Sequence, residues 1–223
     1  MFFKSCFDAE EHPHGKRVAI ELTGRKFSVL EGGPLEVVDH RVNAHLLLGR
    51  QELARGNNES AATDFQAARS PPVNLPSEHK IRRSAELAYW SGEAYAAMNN
   101  QTRAKRYWEE AVDSIPGANQ HPPSTISAGQ IQAYFRALAQ EKLGQSSNAE
   151  QIFPRLADVA KEARKDGQSS AQGRYGQTAL AHYFAGLGHL GLAGREQARS
   201  EFKLALNCAP DMLGPKAQLA NLR

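Results

Sequence analysis

Cysteine is almost missing from this chain: 223 residues contain two, Cys6 and Cys208, about two hundred positions apart. That excludes a disulfide-stapled scaffold and any metal site built on cysteine spacing, so both are read as free thiols. Long apolar runs are missing too. None approaches the roughly 18 residues that a membrane helix needs, and the greasy start MFFKSCF is interrupted by Lys4 and Asp8 before it could form a secretory core. The expectation is a cytoplasmic protein with no membrane contact. Charge of one sign is also lacking, because 27 Lys and Arg stand against 24 Asp and Glu and leave +3. Such a balance announces neither nucleic acid nor an anionic surface. Strand patterning is nearly confined to 17–23, where Val18, Ile20 and Leu22 alternate. Recognisable catalytic arrangements are missing as well: there is no G-x-S-x-G, no S-x-x-K, and no cysteine with a recognisable histidine partner. The chain is therefore expected to be no enzyme, with no catalytic residue, no cofactor and no metal.

What is present is helix. Breakers cluster at Gly32–Pro34, in SPPVNLPS at 70–77, in PGANQHPPS at 116–124 and in DGQSSAQGRYGQ at 166–177. Between them lie stretches rich in Ala, Leu, Glu, Gln, Lys and Arg, with apolar residues three and four apart, as in Leu87, Trp90, Ala94, Ala97 and Met98. Nearly everything after Pro34 is expected to be helical.

These stretches repeat. Gly92 is followed by Tyr95, Ala104, Trp108, Ala111 and Pro116, at offsets of 3, 12, 16, 19 and 24. Gly186, His189, Ala198, Phe202, Ala205 and Pro210 stand at the same offsets. A first unit carries Gly49, Ala61, Phe65 and Ala68, and a weaker third has Ala137, Ala149, Phe153 and Leu156. The spacing describes a helical hairpin. A small residue in the first helix and another early in the second let the two helices approach, and an aromatic four residues further on fills the space between them. Gly56, Asn99 and Asn100, Gly144, and Gly194 are expected to make the turns in left-handed conformations.

From Val42 to Pro210 the chain resembles the tetratricopeptide repeat family. It departs in period, since Gly49, Gly92, Ala137 and Gly186 are 43, 45 and 49 residues apart, where the family repeats every 34 or so. The inserted residues must lengthen helices or loops, and the longest insertion, around 164–178, is expected to be mobile. The resemblance implies a right-handed all-α solenoid of four hairpins, near 42–75, 85–118, 130–163 and 179–210. A capping helix at 215–222 closes this repeat domain of residues 34–223, and an N-terminal segment of 1–33 precedes it. The order GRKFSVLEGG, AHLLLGRQELARGNNESAATDFQAA, NLP and AELAYWSGEAY is also similar to the C-terminal helical-repeat region of a group of bacterial proteins. In that group a mutarotase-like β-sandwich of unknown function precedes the repeats. That likeness implies that the sandwich is missing here and that residues 12–26 form a remnant helix, against the strand-like alternation of 17–23.

Other motifs have plain readings. Gly186, Gly188 and Gly191 spell G-x-G-x-x-G, but the dinucleotide fingerprint needs a preceding strand and a helix starting at the glycines. Close approach of a neighbouring backbone at Gly188 and Gly191 explains them better. His12 and His14, and His182 and His189, have no nearby Cys, Asp or Glu in sequence to complete a metal shell. The basic groups near Lys80, Arg103 and Lys161 are interleaved with Glu and are read as a self-neutralising surface rather than an RNA site.

In the repeat family the fifth, ninth and twelfth positions of the first helix line the concave face. Here they include Tyr89, Tyr134 and Tyr183, then Arg50, Glu93, Leu138 and Leu187. The expected function is a non-catalytic scaffold that binds a protein or peptide through this groove, with the tyrosines as an amphipathic stripe. In the other reading the tyrosines pack on the next helix. The alternative function is an accessory module of a carbohydrate-related, mutarotase-like enzyme. The N-terminal segment is expected to cover the first hairpin or to join a second copy in a homodimer.

Overall fold

The structure is a computed structural model that describes residues 33–70, 83–114, 128–145, 149–165 and 171–222. Among the described residues it is all-helical, with nine helices and no strand. These are α1 (Gly33–Ala54), α2 (Asn58–Arg69), α3 (Ser84–Ala97), α4 (Gln101–Asp113), α5 (Ala128–Lys142), α6 (Ala149–Lys165), α7 (Ala171–Gly191), α8 (Arg195–Cys208) and α9 (Leu213–Asn221). The expected N-terminal remnant at 12–26, and the packing of residues 1–31 on the first hairpin, lie outside the described residues. The expected loop at 164–178 is largely replaced by helix. α6 runs to Lys165 and α7 starts at Ala171, so much of the insertion lengthens the first helix of the fourth hairpin.

One turn is built four times. Asn57 N–H donates to the carbonyl of Glu52 at 2.9 Å, Asn100 to Tyr95 at 2.9 Å, Gln145 to Gln140 at 2.8 Å and Gly194 to His189 at 2.8 Å. Inside each of these bonds a shorter one runs from Gly56 to Leu53, Asn99 to Ala96, Gly144 to Glu141 and Ala193 to Leu190. This pattern satisfies the last carbonyls of the first helix and requires a left-handed residue at the inner position. That residue is Gly56 at φ +81, Asn99 at +58, Gly144 at +75 and, in place of the expected Gly194, Ala193 at +58. Gly194 instead opens α8, where its carbonyl accepts from Ala198 N–H. Asn57 and Asn100 do the same for Ala61 and Ala104, so the conserved geometry places the small residue of the second helix one turn beyond its start.

The small and aromatic positions then meet. A methyl group on Gly49 would stand 2.5 Å from the Phe65 ring, one on Gly92 2.4 Å from Trp108, and one on Gly186 2.3 Å from Phe202. These rings fill space that a side chain would otherwise occupy. Phe65, Phe153 and Phe202 are buried, as are Ala61, Ala104 and Ala198.

The chain divides into two units, Met1–Gly117 and Ala118–Arg223. In the first, α1 packs on α2, α2 on α3, and α3 on α4. Val42, Leu46, Phe65, Ala68 and Leu87 form its core, with Trp90 stacked 6.2 Å from Phe65 across the two hairpins. Arg41 caps the end of α2, its Nη1 donating to the Ala67 carbonyl at 2.6 Å, where burial lowers its pKa from the usual guanidinium value. In the second unit α7 is central and touches α5, α6 and α8, while α9 packs on α8. Phe135, Phe153, Phe184, Leu187 and Phe202 are among its buried side chains.

Candidate functional site

The tyrosines expected to form a partly exposed stripe are core residues. Tyr89, Tyr134 and Tyr183 are 7%, 5% and 6% exposed. Tyr134 meets Phe153 of its own hairpin edge-on at 5.8 Å, and Tyr183 lies 6.0 Å from Phe202. The Tyr183 ring also presses on the backbone of Gly214, where an added methyl would come within 2.6 Å of Cζ. Leu187 is fully buried. Of the other expected groove residues, Arg50 is half-buried with its guanidinium 4.7 Å from the centre of the Trp90 ring, and Glu93 and Leu138 are half-buried. Buried rings have little area left to offer a partner, and their burial favours the other reading, in which they pack against neighbouring helices.

The first unit has an open groove elsewhere, between α2 and the region where α3 turns into α4. It measures about 590 Å³ and is lined by Glu59, Ala62, Thr63, Gln66, Ala67 and Ser70 of α2 and the turn after it, with Tyr95, Met98 and Arg103 opposite. The α2 positions step by three and one, which is a single helical face. Asn58 Nδ2 donates to the Ala97 carbonyl at 3.0 Å at one end, and Arg69 pairs with Glu110 at the other. The first contact ties the start of α2 to the end of α3, and the second ties the end of α2 to α4.

Beside the groove stands a column of four side chains. The Tyr95 and Tyr107 rings are stacked 5.3 Å apart at 8°. Arg69 lies over the Tyr107 ring, 5.2 Å from its centre, and Arg103 over the Tyr95 ring at 5.3 Å. Such stacking fixes long side chains that would otherwise be flexible, because the ring faces attract the guanidinium cations. Arg69 is committed to Glu110, whereas Arg103 is exposed and carries its charge beside the groove.

Sequence reasoning had placed Tyr95 in the repeat pattern and Arg103 in a self-neutralising surface, and had not singled out Tyr107. A signal for this column was available. Only the second hairpin has tyrosine both three residues after the small position and one residue before the aromatic; the others have Glu52 and Asp64, Gln140 and Ile152, and His189 and Glu201.

The groove offers amide and hydroxyl groups from Gln66 and Ser70, an apolar strip from Ala62, Ala67 and Met98, one carboxylate and one guanidinium. Thr63 Oγ1 is engaged by the Glu59 carbonyl at 2.9 Å. Among the described residues no group of three or more His, Cys, Asp or Glu side chains could hold a metal ion, and no helix is long and apolar enough to cross a membrane. Cys208 is a free thiol. His182, expected to lack a nearby acid, bonds to Glu201 at 2.6 Å from the following helix. No family model matches the chain, and no curated protein matches it.

Proposed function

We propose that this chain is a non-catalytic scaffold that binds a protein or peptide segment, and that the segment lies in the groove between α2 and the α3–α4 turn. The observation that carries this reading is the groove itself. It is open and of mixed polarity, and the stacked Arg69, Tyr107, Tyr95 and Arg103 column stiffens one side of it. A stiff wall reduces the entropy lost when a partner docks. The turn built four times accords with the right-handed solenoid that the resemblance to tetratricopeptide proteins implies, in which successive repeats stack. A bacterial setting rests on the resemblance alone, and a cytoplasmic one on the lack of long apolar runs in the sequence.

The test is peptide display on the full chain, followed by affinity measurement on the selected peptides with Arg103→Ala and Gln66→Ala. Both side chains are exposed, so folding should be nearly unaffected. The expected result is a loss of affinity of about tenfold or more, as for the dominant residues of an interface. Failure to select any peptide, or selected peptides indifferent to both changes, would reject this site.

A further inference from the structure

Arg103 stands where nothing in its own helix calls for a cation. It is the third residue of α4, in the amino-terminal turn, the end of a helix that disfavours positive charge. The residues three and four away are Asn99, Asn100, Arg106 and Tyr107, so no acid lies within helical reach and one of the four is another cation. The other basic side chains of α4 are better placed. Lys105 pairs with Glu109 at 3.9 Å, and Arg106 has Glu109 and Glu110 three and four residues on. Among the described residues no carboxylate pairs with the Arg103 guanidinium; its contact is the Tyr95 ring, 5.3 Å from the ring centre. At the matching position the other three hairpins carry the uncharged Ser60, Asn148 and Gln197.

We infer, on the peptide-binding reading of the groove, that its occupant is an acidic segment that presents an internal Asp or Glu side chain to Arg103. A guanidinium over a ring face is held there by its charge and keeps N–H donors for an oxygen. A carboxylate meets such donors with two parallel hydrogen bonds. An exposed ion pair is ordinarily weak, in part because two long side chains must be ordered to form it. The Tyr95 ring orders one of them before the partner arrives, which lowers that cost.

The other charge in the groove gives the segment its register. Glu59 lines the same groove without pairing with Arg103 and has a helical reason for its place, since an acid suits the first turn of α2. It repels an acid brought to its own position, so the segment's carboxylate is confined to the Arg103 side. From Glu59 to Ser70 the α2 face is about 16 Å long, the reach of about five extended residues. The groove is open rather than blind, which suits the middle of a chain rather than its carboxyl end.

The experiment selects peptides of random sequence on the full chain, displayed between fixed flanks so that none has a free carboxyl end. A second library with free carboxyl ends is run beside it. Peptides from the first library should carry Asp or Glu at one position, and Arg103→Glu should lower their affinity about tenfold or more. That change suits the fold, because an acid is favoured in the first turn of α4. Lysine in place of the peptide's acid should abolish binding to the wild-type chain and restore it to the Arg103→Glu chain. A damaged fold could not give that recovery, and its absence would overturn the inference. Binders that lose affinity with Gln66→Ala but show no acidic preference, or that ignore Arg103→Glu, would overturn it while the groove reading stands. Binders found only in the second library would assign Arg103 to a chain terminus and overturn it as well. Binders from neither library would overturn both the inference and the groove reading.

Discussion

Replacing Gly188 with alanine sets two effects of opposite sign against each other. Gly188 lies inside α7, where alanine is favoured over glycine by about 1 kcal/mol. On propensity alone the variant would be more stable. The added methyl, however, would stand 2.2 Å from the Ala157 amide nitrogen, 2.6 Å from the Phe153 carbonyl oxygen and 2.8 Å from the Leu156 carbonyl carbon. Ordinary contacts are about 3.5–4.0 Å, so α6 and α7 would have to part by roughly 1 Å. At Gly92 or Gly186 the obstacle is a ring that can shift; at Gly188 it is main chain, which has no alternative rotamer. Overpacking costs about 1–3 kcal/mol, and a backbone obstacle belongs at the upper end. After the propensity gain, the net expectation is a loss of about 2 kcal/mol. With a urea dependence of about 1–3 kcal/mol per molar, the midpoint should fall by roughly 1 M. Urea unfolding followed by circular dichroism measures it. Gly56→Ala is the control, since no atom lies within 4 Å of its added methyl and only the left-handed φ of +81 opposes it; its loss should be about 1 kcal/mol. A Gly188→Ala midpoint equal to or above wild type would refute the close crossing of α6 and α7.

Ala193→Gly should stabilise the chain by about 1 kcal/mol, because Ala193 holds φ +58 where glycine has no side-chain penalty; thermal unfolding would show it, and a lower midpoint would contradict it. Trp108→Ala should cost about 3–5 kcal/mol, since the ring is 7% exposed and fills the space beside Gly92; a loss below about 1 kcal/mol on urea unfolding would mean that the hairpin collapses around the gap.

The helices, the hairpins and the small-to-aromatic contacts were legible because they are local. A glycine and an aromatic sixteen residues apart belong to one hairpin, and the short turn leaves them few ways to meet. The turn itself was legible at Gly56, Asn99 and Gly144, whose residue types favour left-handed backbone, and illegible at Ala193, whose type does not. Gly188 was legible as a site of close backbone approach, since it faces the main chain of α6, whereas at Gly191 the neighbour is the Phe153 ring and not the expected backbone.

The surface was not legible in the same way. Tyr89, Tyr134 and Tyr183 are suited both to a groove and to a core, and which one they enter depends on the helix that covers them, a non-local choice. Tyr95 and Tyr107 have the same chemistry but remain half-exposed, because they lie at the edge of the second hairpin beside α2. The acid beside His182 was hidden for a related reason: Glu201 is nineteen residues away in the chain and 2.6 Å away in space. By itself the sequence determined the helices and their pairing into hairpins, since periodicity, small residues and turn chemistry act over one or two dozen residues. Only the tertiary structure decided which tyrosines are buried, which histidines meet carboxylates and where a groove opens, since those depend on surfaces that become neighbours after the hairpins have packed.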